Sequence, residues 1–399
     1  MSYFVPASWA AWLVVVASGW AFRSRAYAVY RAVTLGLQVL IASALVRYFA
    51  WAFPAVAYLE AMVFLSSLVL IRPRLRGLPY RALVSVPAAF FGAGTLLAAP
   101  WAVVAAFGFT PHGAWLPYLF AAIGIVQSLT TREEATDVVV ADGEHVEGLR
   151  RHAASELRVE RPLQVLQITD PHLGPFMSVA RLRRICERAV ARAPDLVVLT
   201  GDFLTMESHE RPDLLAAALA PLKALEGRTF ACLGNHDHEA LATVEQALAA
   251  AGVKLLVDRA AEVVTPAGLV QILGFDFVWR GRAEHLARVT AAHPRKAGAL
   301  RLLLLHDPSA FHHLPAGEGD LVLSGHTHGG QVGFVSLGLP WTLMRAFVSA
   351  PDHGLWARGV DRLYVHRGTG HYGFPLRLGV PSEESVLRVH AGTLAAVTA

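Results

Sequence analysis

The sequence predicts a chain in two parts, an all-α transmembrane bundle followed by a soluble domain of the α/β class. Three observations predict it. Between Met1 and Thr131 there is one carboxylate, Glu60, and the other acids lie beyond Arg132. Hydrophobic residues make up 54% of the 399 and charged residues 17%, too oily for a soluble enzyme of this size. From about residue 150, short apolar runs alternate with stretches of helical period, the pattern of layered α/β domains. The expected boundaries are a multi-span region over 1–131, a linker over 132–159 and a folded domain over 160–399.

Five apolar stretches in the first part approach the roughly 20 residues that cross a bilayer: 4–22, 28–51, 54–71, 82–107 and 113–130. The first lacks a basic leader and a small-residue cleavage site, so a removed signal peptide is not expected. A buried helical domain of a soluble protein is the alternative, and five such segments in succession argue against it. Arg23, Arg25 and Arg31 follow the first span, and Arg72, Arg74, Arg76 and Arg81 follow the third. The other connections carry no Lys or Arg. With five spans, the excess of positive charge on cytoplasmic loops puts the soluble domain in the cytoplasm, as part of a multi-pass cell-membrane protein. One span more or fewer reverses that side. Glu60 and Arg47 are costly in lipid and are expected to pair with each other or to reach the interface.

In the second part, LQVLQI reads as a strand leading into Asp170 and His172, and 178–193 as an Arg-faced helix. DLVVLTGD is a second strand, RPDLLAAALAPLKAL a helix and TFACLGNHD a third strand. A helix over 239–251, a hairpin over 262–276, another helix and the strands ALRLLLLHDP and DLVLSGHTH complete the order. Cys186 and Cys232 form no CxxC and read as small buried hydrophobes. The net charge of +4, with no basic stripe interleaved with aromatics, gives no reason to expect nucleic acid as a partner.

Strand after strand exits into side chains that bind metals: Asp170 and His172, Asp202, Asn235 and His236, His306, then His326 and His328. An aspartate after a strand is ordinarily a turn or a helix cap, and a lone histidine is ordinarily core or surface. Five such loops together instead point to a site at the strand ends. In LVLSGHTHGGQ, residues i and i+2 of an extended segment face the same side, so His326 and His328 reach one cavity.

These residues, Asp170-Pro-His172, Gly201-Asp202, Gly234-Asn-His-Asp237, His306 and Gly325-His-Thr-His328, resemble the calcineurin-like metallophosphoesterases over roughly 160–390. The resemblance implies a four-layer α/β/β/α domain, two sheets between helices, with a two-metal centre at one edge. It implies Asp170, His172 and His328 on one ion, Asn235, His306 and His326 on the other, and Asp202 bridging them. His236 is then the proton donor or phosphate-stabilising histidine, oriented by Asp237. Donors of this kind, without thiolate, suit two divalent ions of Mn, Fe, Zn, Co or Ni. Pro171 departs from the small or aliphatic residue common at that position and stiffens its loop.

The GHTHGGQ form and RGTGHYGFPLRLGVPSEE over 367–384 are similar to a branch attached to membrane segments, whose relatives cleave UDP-2,3-diacylglucosamine. The expected function is a membrane-bound phosphoesterase that hydrolyses a lipid-linked phosphoester by attack of a metal-activated hydroxide. A pyrophosphate hydrolase of UDP-2,3-diacylglucosamine type is the alternative, and a non-catalytic membrane sensor of a phosphorylated ligand is an alternative of another class. A transporter would show matched broken helices, which this sequence lacks. Arg345, Arg367 and Arg377 stand either as ligands of a second phosphate or as plain surface arginines. Oligomeric state stays open.

Overall fold

The computed structural model describes residues 2–140, 143–152, 158–371, 373 and 375–391. The chain divides into two compact units: Met1–Leu129 with Gly373–Leu378, and Thr130–Tyr372 with Gly379–Ala399.

The first unit is helical. It comprises α1 (Phe4–Phe22), α2 (Arg25–Leu45), a 3₁₀ stretch Val46–Ala52 and α3 (Phe53–Val69). After these come the short α4 (Leu78–Tyr80), five residues of π-helix, α5 (Val86–Leu97), α6 (Ala99–Ala106) and α7 (Leu116–Ser128). Leu13, Val33, Leu40 and Val126 are exposed on these helices, while Val15, Leu35, Val39 and Phe91 are buried between them. Helices apolar on both faces are those of a lipid environment. Among the described residues, three stretches are long and apolar enough to cross a membrane: Phe4–Phe22, Arg25–Val69 and Leu78–Leu97.

This differs from the five expected spans. The second and third merge into one 45-residue stretch that bends where Phe49 leaves helical geometry. The fourth stops at Leu97, because Pro100 opens a separate short helix. The fifth is only 13 residues of helix. The expected pair of Glu60 with Arg47 is not formed either. Gln38 Nε2 lies 3.4 Å from the buried Glu60 carboxylate, and the Arg47 guanidinium donates to the Tyr48 hydroxyl at 2.6 Å.

The second unit opens with β1 (Thr131–Val140), β2 (Val146–Arg151), β3 (Leu163–Ile168), α8 (Val179–Ala191), β4 (Leu196–Leu199), α9 (Pro212–Leu219) and β5 (Thr229–Ala231). It continues with α10 (Leu241–Ala250), β6 (Lys254–Leu255), β7 (Arg259–Thr265), β8 (Gly268–Gly274), α11 (Arg282–Ala292) and β9 (Leu300–Leu304). β10 (Leu321–Ser324), β11 (Gly354–Gly359), β12 (Asp361–Val365) and β13 (Ser382–Ala391) complete it. One sheet runs β1-β13-β3-β4-β5-β6 and the other β2-β11-β12-β10-β9-β8-β7.

Alternation along the strands explains their packing. Leu163, Val165, Leu196 and Val198 of the first sheet share one apolar cluster with Leu302, Leu304, Leu321 and Leu323 of the second. The intervening Val197 and Leu199 pack instead against Leu182, Leu215 and Val244 of α8, α9 and α10. On the second sheet, Leu303 and Val322 meet Leu286 and Val289 of α11. Each such fully buried aliphatic side chain contributes about 1.5–3 kcal/mol.

The stretch expected as a linker supplies β1 and β2. β1 runs parallel to β13 from Thr131 opposite Ser382 to Val140 opposite Ala391, and Val138, Val139 and Val140 are fully buried. Its charged residues between Arg132 and Asp137 hid it, yet Asp137 has partners: it accepts from Arg388 at 2.7 Å and contacts the His390 ring at 2.8 Å. Arg367 is also accounted for by the fold. Buried, it is ion-paired with Glu383 and Glu134, which leaves no surface arginine there for a second phosphate.

Candidate metal centre

Parallel pairing sets the exits of β3, β4 and β5 at one edge, and the parallel pair β9 and β10 brings the loops of His306 and His326 together. Hydrogen bonds join the exits of the two sheets. Gln167 Nε2 donates to the Ser324 carbonyl at 3.0 Å, and the His326 N–H reaches the Asp170 carboxylate at 3.0 Å. Asp170, His172, Asp202, His326 and His328 all adopt positive φ, between 44° and 67°. Non-glycine residues rarely do so, and strain of this kind collects at functional sites. Glycines make room for the loops. A Cβ on Gly325 would lie 2.2 Å from Asp170 Oδ2, and one on Gly234 would lie 2.2 Å from Asp202 Oδ1.

Two donor groups result. The ligand atoms of Asp170, His172 and His328 lie within 4.8 Å of one another, and so do those of Asp202, His306 and His326. The two closely spaced histidines of the glycine-rich turn thus enter different groups. Asp202 Oδ2 is 3.3 Å from His306 Nε2 and 3.7 Å from His172 Nε2, so it faces both groups. The nitrogens of His172 and His328 are 3.2 Å apart, and those of His306 and His326 are 3.3 Å apart. His306 Nδ1 meets the Thr200 carbonyl at 2.6 Å, an orientation that turns Nε2 toward the centre.

The electrostatics suit cations. Burial holds His172 down to about 3 and His326 to about 4, so both are neutral imidazoles, the form that binds metal. Burial raises Asp170 to about 6. Burial opposes charge on both Asp202 and His306, yet their mutual attraction lowers the carboxyl and raises the imidazole. The two groups thus favour opposite charges, and a divalent cation held here would supply the positive charge instead. Asn235 Oδ1 is buried without a hydrogen-bond partner, an acceptor fit for a metal. The residues therefore fit a pair of divalent ions.

Asp237 departs from its expected role. Its Oδ2 accepts from the backbone N–H of Asp202 at 2.8 Å and of Gly234 at 2.7 Å, and its Oδ1 from that of Phe203 at 2.8 Å. It ties two site loops together. The His236 ring instead meets Glu239 Oε1 at 3.0 Å. Burial acts to lower His236, but Glu239 and Asp202 outweigh it and raise the group above the ordinary histidine range. Glu239, three residues on within a helical turn, was detectable from that spacing. Phe277, whose ring lies 6.2 Å from that of His306, carries no sequence signal.

Residues 163–330 match the calcineurin-like phosphoesterase family. Phosphodiesterase YaeI of Escherichia coli is 29% identical over 57% of this chain and 82% of its own length. UDP-2,3-diacylglucosamine pyrophosphatase LpxG of Chlamydia trachomatis is 27% identical over 63% of this chain and 93% of its own. A transmembrane protein with metallophosphoesterase domain from Danio rerio is 30% identical over 55% of this chain and 52% of its own. With its two donor groups and these relatives, the chain carries a calcineurin-like phosphoesterase domain over residues 163–330, that of a metal-dependent phosphoester hydrolase.

Proposed function

We propose that the chain is a membrane-anchored, two-metal phosphoesterase whose substrate is a lipid-linked phosphoester. The observation that carries it is Asp202, whose Oδ2 stands between the two donor groups, in a chain that also bears long apolar helices. Asp170, His172 and His328 would hold one ion, and Asn235, His306 and His326 the other. Ions bound there supply charge neutralisation at the phosphoryl oxygens and acidify water toward neutral pH. His236, its ring 5.7 Å from that of His172, protonates the leaving oxygen or stabilises phosphate charge, and Glu239 keeps it supplied with a proton. Asp237 fixes the Asp202 and Gly234 backbones, which positions the ligands beside them. We read the second unit as the four-layer α/β/β/α arrangement, and the arginine distribution as that of a multi-pass protein with a cytoplasmic catalytic domain. The relationship to LpxG favours a nucleotide diphospho-lipid within the lipid-linked class.

The test uses the full chain in detergent, stripped with chelator and reloaded with Mn, Fe, Zn, Co or Ni in turn. A chromogenic monoester, a chromogenic diester and a nucleotide diphospho-lipid are then compared. Metal-dependent turnover that Asp202→Asn removes supports the reading, and a preference for the lipid substrate supports its finer part. Metal binding without turnover of any of the three would favour a sensor instead.

A further inference from the structure

Downstream of the metal-ligand turn, residues 331–351 contain no acid and one cation, Arg345. In a soluble protein such a segment would be core. Here Phe334, Leu337, Leu339, Trp341, Leu343 and Phe347 are all exposed, Leu337 to 75% and Phe347 to 82%. Contiguous exposed apolar surface of this kind marks an interaction site.

The segment is also built. It folds back on itself, with the Phe334 N–H donating to the Trp341 carbonyl at 2.9 Å and the Leu343 N–H to the Val332 carbonyl at 2.8 Å. Phe334 and Trp341 stack with centroids 5.2 Å apart. Its base is fixed beside the donor groups. The Gln331 N–H reaches the His328 carbonyl, Thr342 donates to Asp352 at 2.7 Å, and Thr327 donates to the Asp352 carbonyl at 2.6 Å. The apolar tip is thus held rigidly to the turn that carries His326 and His328.

We propose that this loop is a second membrane contact, which inserts its apolar tip into the bilayer interface and holds the metal-centre edge toward the lipid surface. The occupant is a bilayer because the same chain carries helices long and apolar enough to cross one, which would keep a lipid surface near. Tryptophan and phenylalanine favour the interfacial zone, and an acid-free segment carries no charge that anionic headgroups would repel. This docking presupposes the membrane-anchored reading and adds to it where the catalytic unit meets its substrate.

The full chain in nanodiscs tests it. An environment-sensitive dye is placed at Leu337→Cys, at Phe347→Cys and at Val264→Cys, an exposed position on the β7–β8 hairpin. Cys186 and Cys232 are buried and stay unlabelled. Dyes at 337 and 347 are expected to shift to the blue, to be quenched by nitroxide lipids and to be shielded from aqueous iodide, with the dye at 264 behaving oppositely. Iodide access at 337 and 347 equal to that at 264 would overturn the docking alone. Shielding from both quenchers would overturn it in favour of a second copy of the chain. Failure of the chain to enter nanodiscs would overturn the docking together with the anchored reading.

Discussion

Replacing Asp237 separates a positioning role from a catalytic one. Its Oδ2 serves two backbone N–H groups and its Oδ1 a third, all within 2.8 Å. In Asp237→Asn, the amide oxygen is best placed where Oδ2 stood, which keeps two of the three bonds. The amide NH₂ then points at the Phe203 N–H, donor against donor, and orphans it. A buried donor without a partner costs about 1–3 kcal/mol, and the clash puts this variant at the upper end. Asp237→Ala orphans all three, for about 3–9 kcal/mol. In a unit of this size about 1 kcal/mol moves the midpoint by roughly 2–4 °C, so the asparagine variant should melt roughly 4–10 °C lower. Differential scanning fluorimetry of the metal-free full chain reads this, and calorimetric titration with Mn should show weakened binding, because the Asp202 backbone loses its tie. A variant that melts within about 1 °C of the parent and binds metal normally, yet has a lower kcat, would refute the reasoning. Asp237 would then act through His236.

Further outcomes follow from the same geometry. Asp202→Asn, by neutralising the group that faces both donor sets, should lower bound metal below two ions per chain by elemental analysis and cut turnover by roughly 100-fold or more. Gly325→Ala drives a Cβ against Asp170 Oδ2 and Thr169 Oγ1, so metal on the Asp170 group should be lost first, and an unchanged metal content would count against that packing. Arg367→Met leaves Glu383 and Glu134 without their cation and should cost about 3–5 kcal/mol, with Glu383→Gln restoring part of the melting temperature. Burial acts to raise Glu383, but His366 and Arg367 hold it at about 2, below the usual 4.5. Its contribution is therefore present above pH 4.5 and lost as pH falls toward 2. The decline in melting temperature over that window should be shallower in Glu383→Gln, and identical slopes would exclude the linkage.

The chemistry of the site was legible in the sequence because metal ligation demands particular side chains. Those side chains sit at strand exits, where apolar runs end and glycines follow, so Asp170, His172, Asp202, Asn235, His306, His326 and His328 stood out together. Resemblance alone implied His328 with Asp170 and His172, and Asn235 with His306 and His326, with Asp202 bridging; the structure brings Asp170, His172 and His328 together, and Asp202, His306 and His326 together. That Asp237 orients His236 was likewise implied only by resemblance; the fold turns Asp237 to the backbone and sets Glu239 beside the His236 ring. β1 escaped notice because its first half is charged, and only β13 alongside, with Arg388 and His390 to meet Asp137, makes it a strand.

Composition and periodicity by themselves determined that an apolar helical part precedes an α/β part, since both depend on local pattern: the length of apolar runs and the alternation of strand and helix. Tertiary structure decided what depends on long-range contact. It used 131–140 and 146–151 as strands of the two sheets, spent Arg367 on buried acids and turned Asp237 to the backbone. It also left the apolar 334–348 segment at the surface, where local pattern alone would have buried it. Sequence carries a residue's chemistry and its period, but a side chain's partner is set by which distant strand arrives beside it.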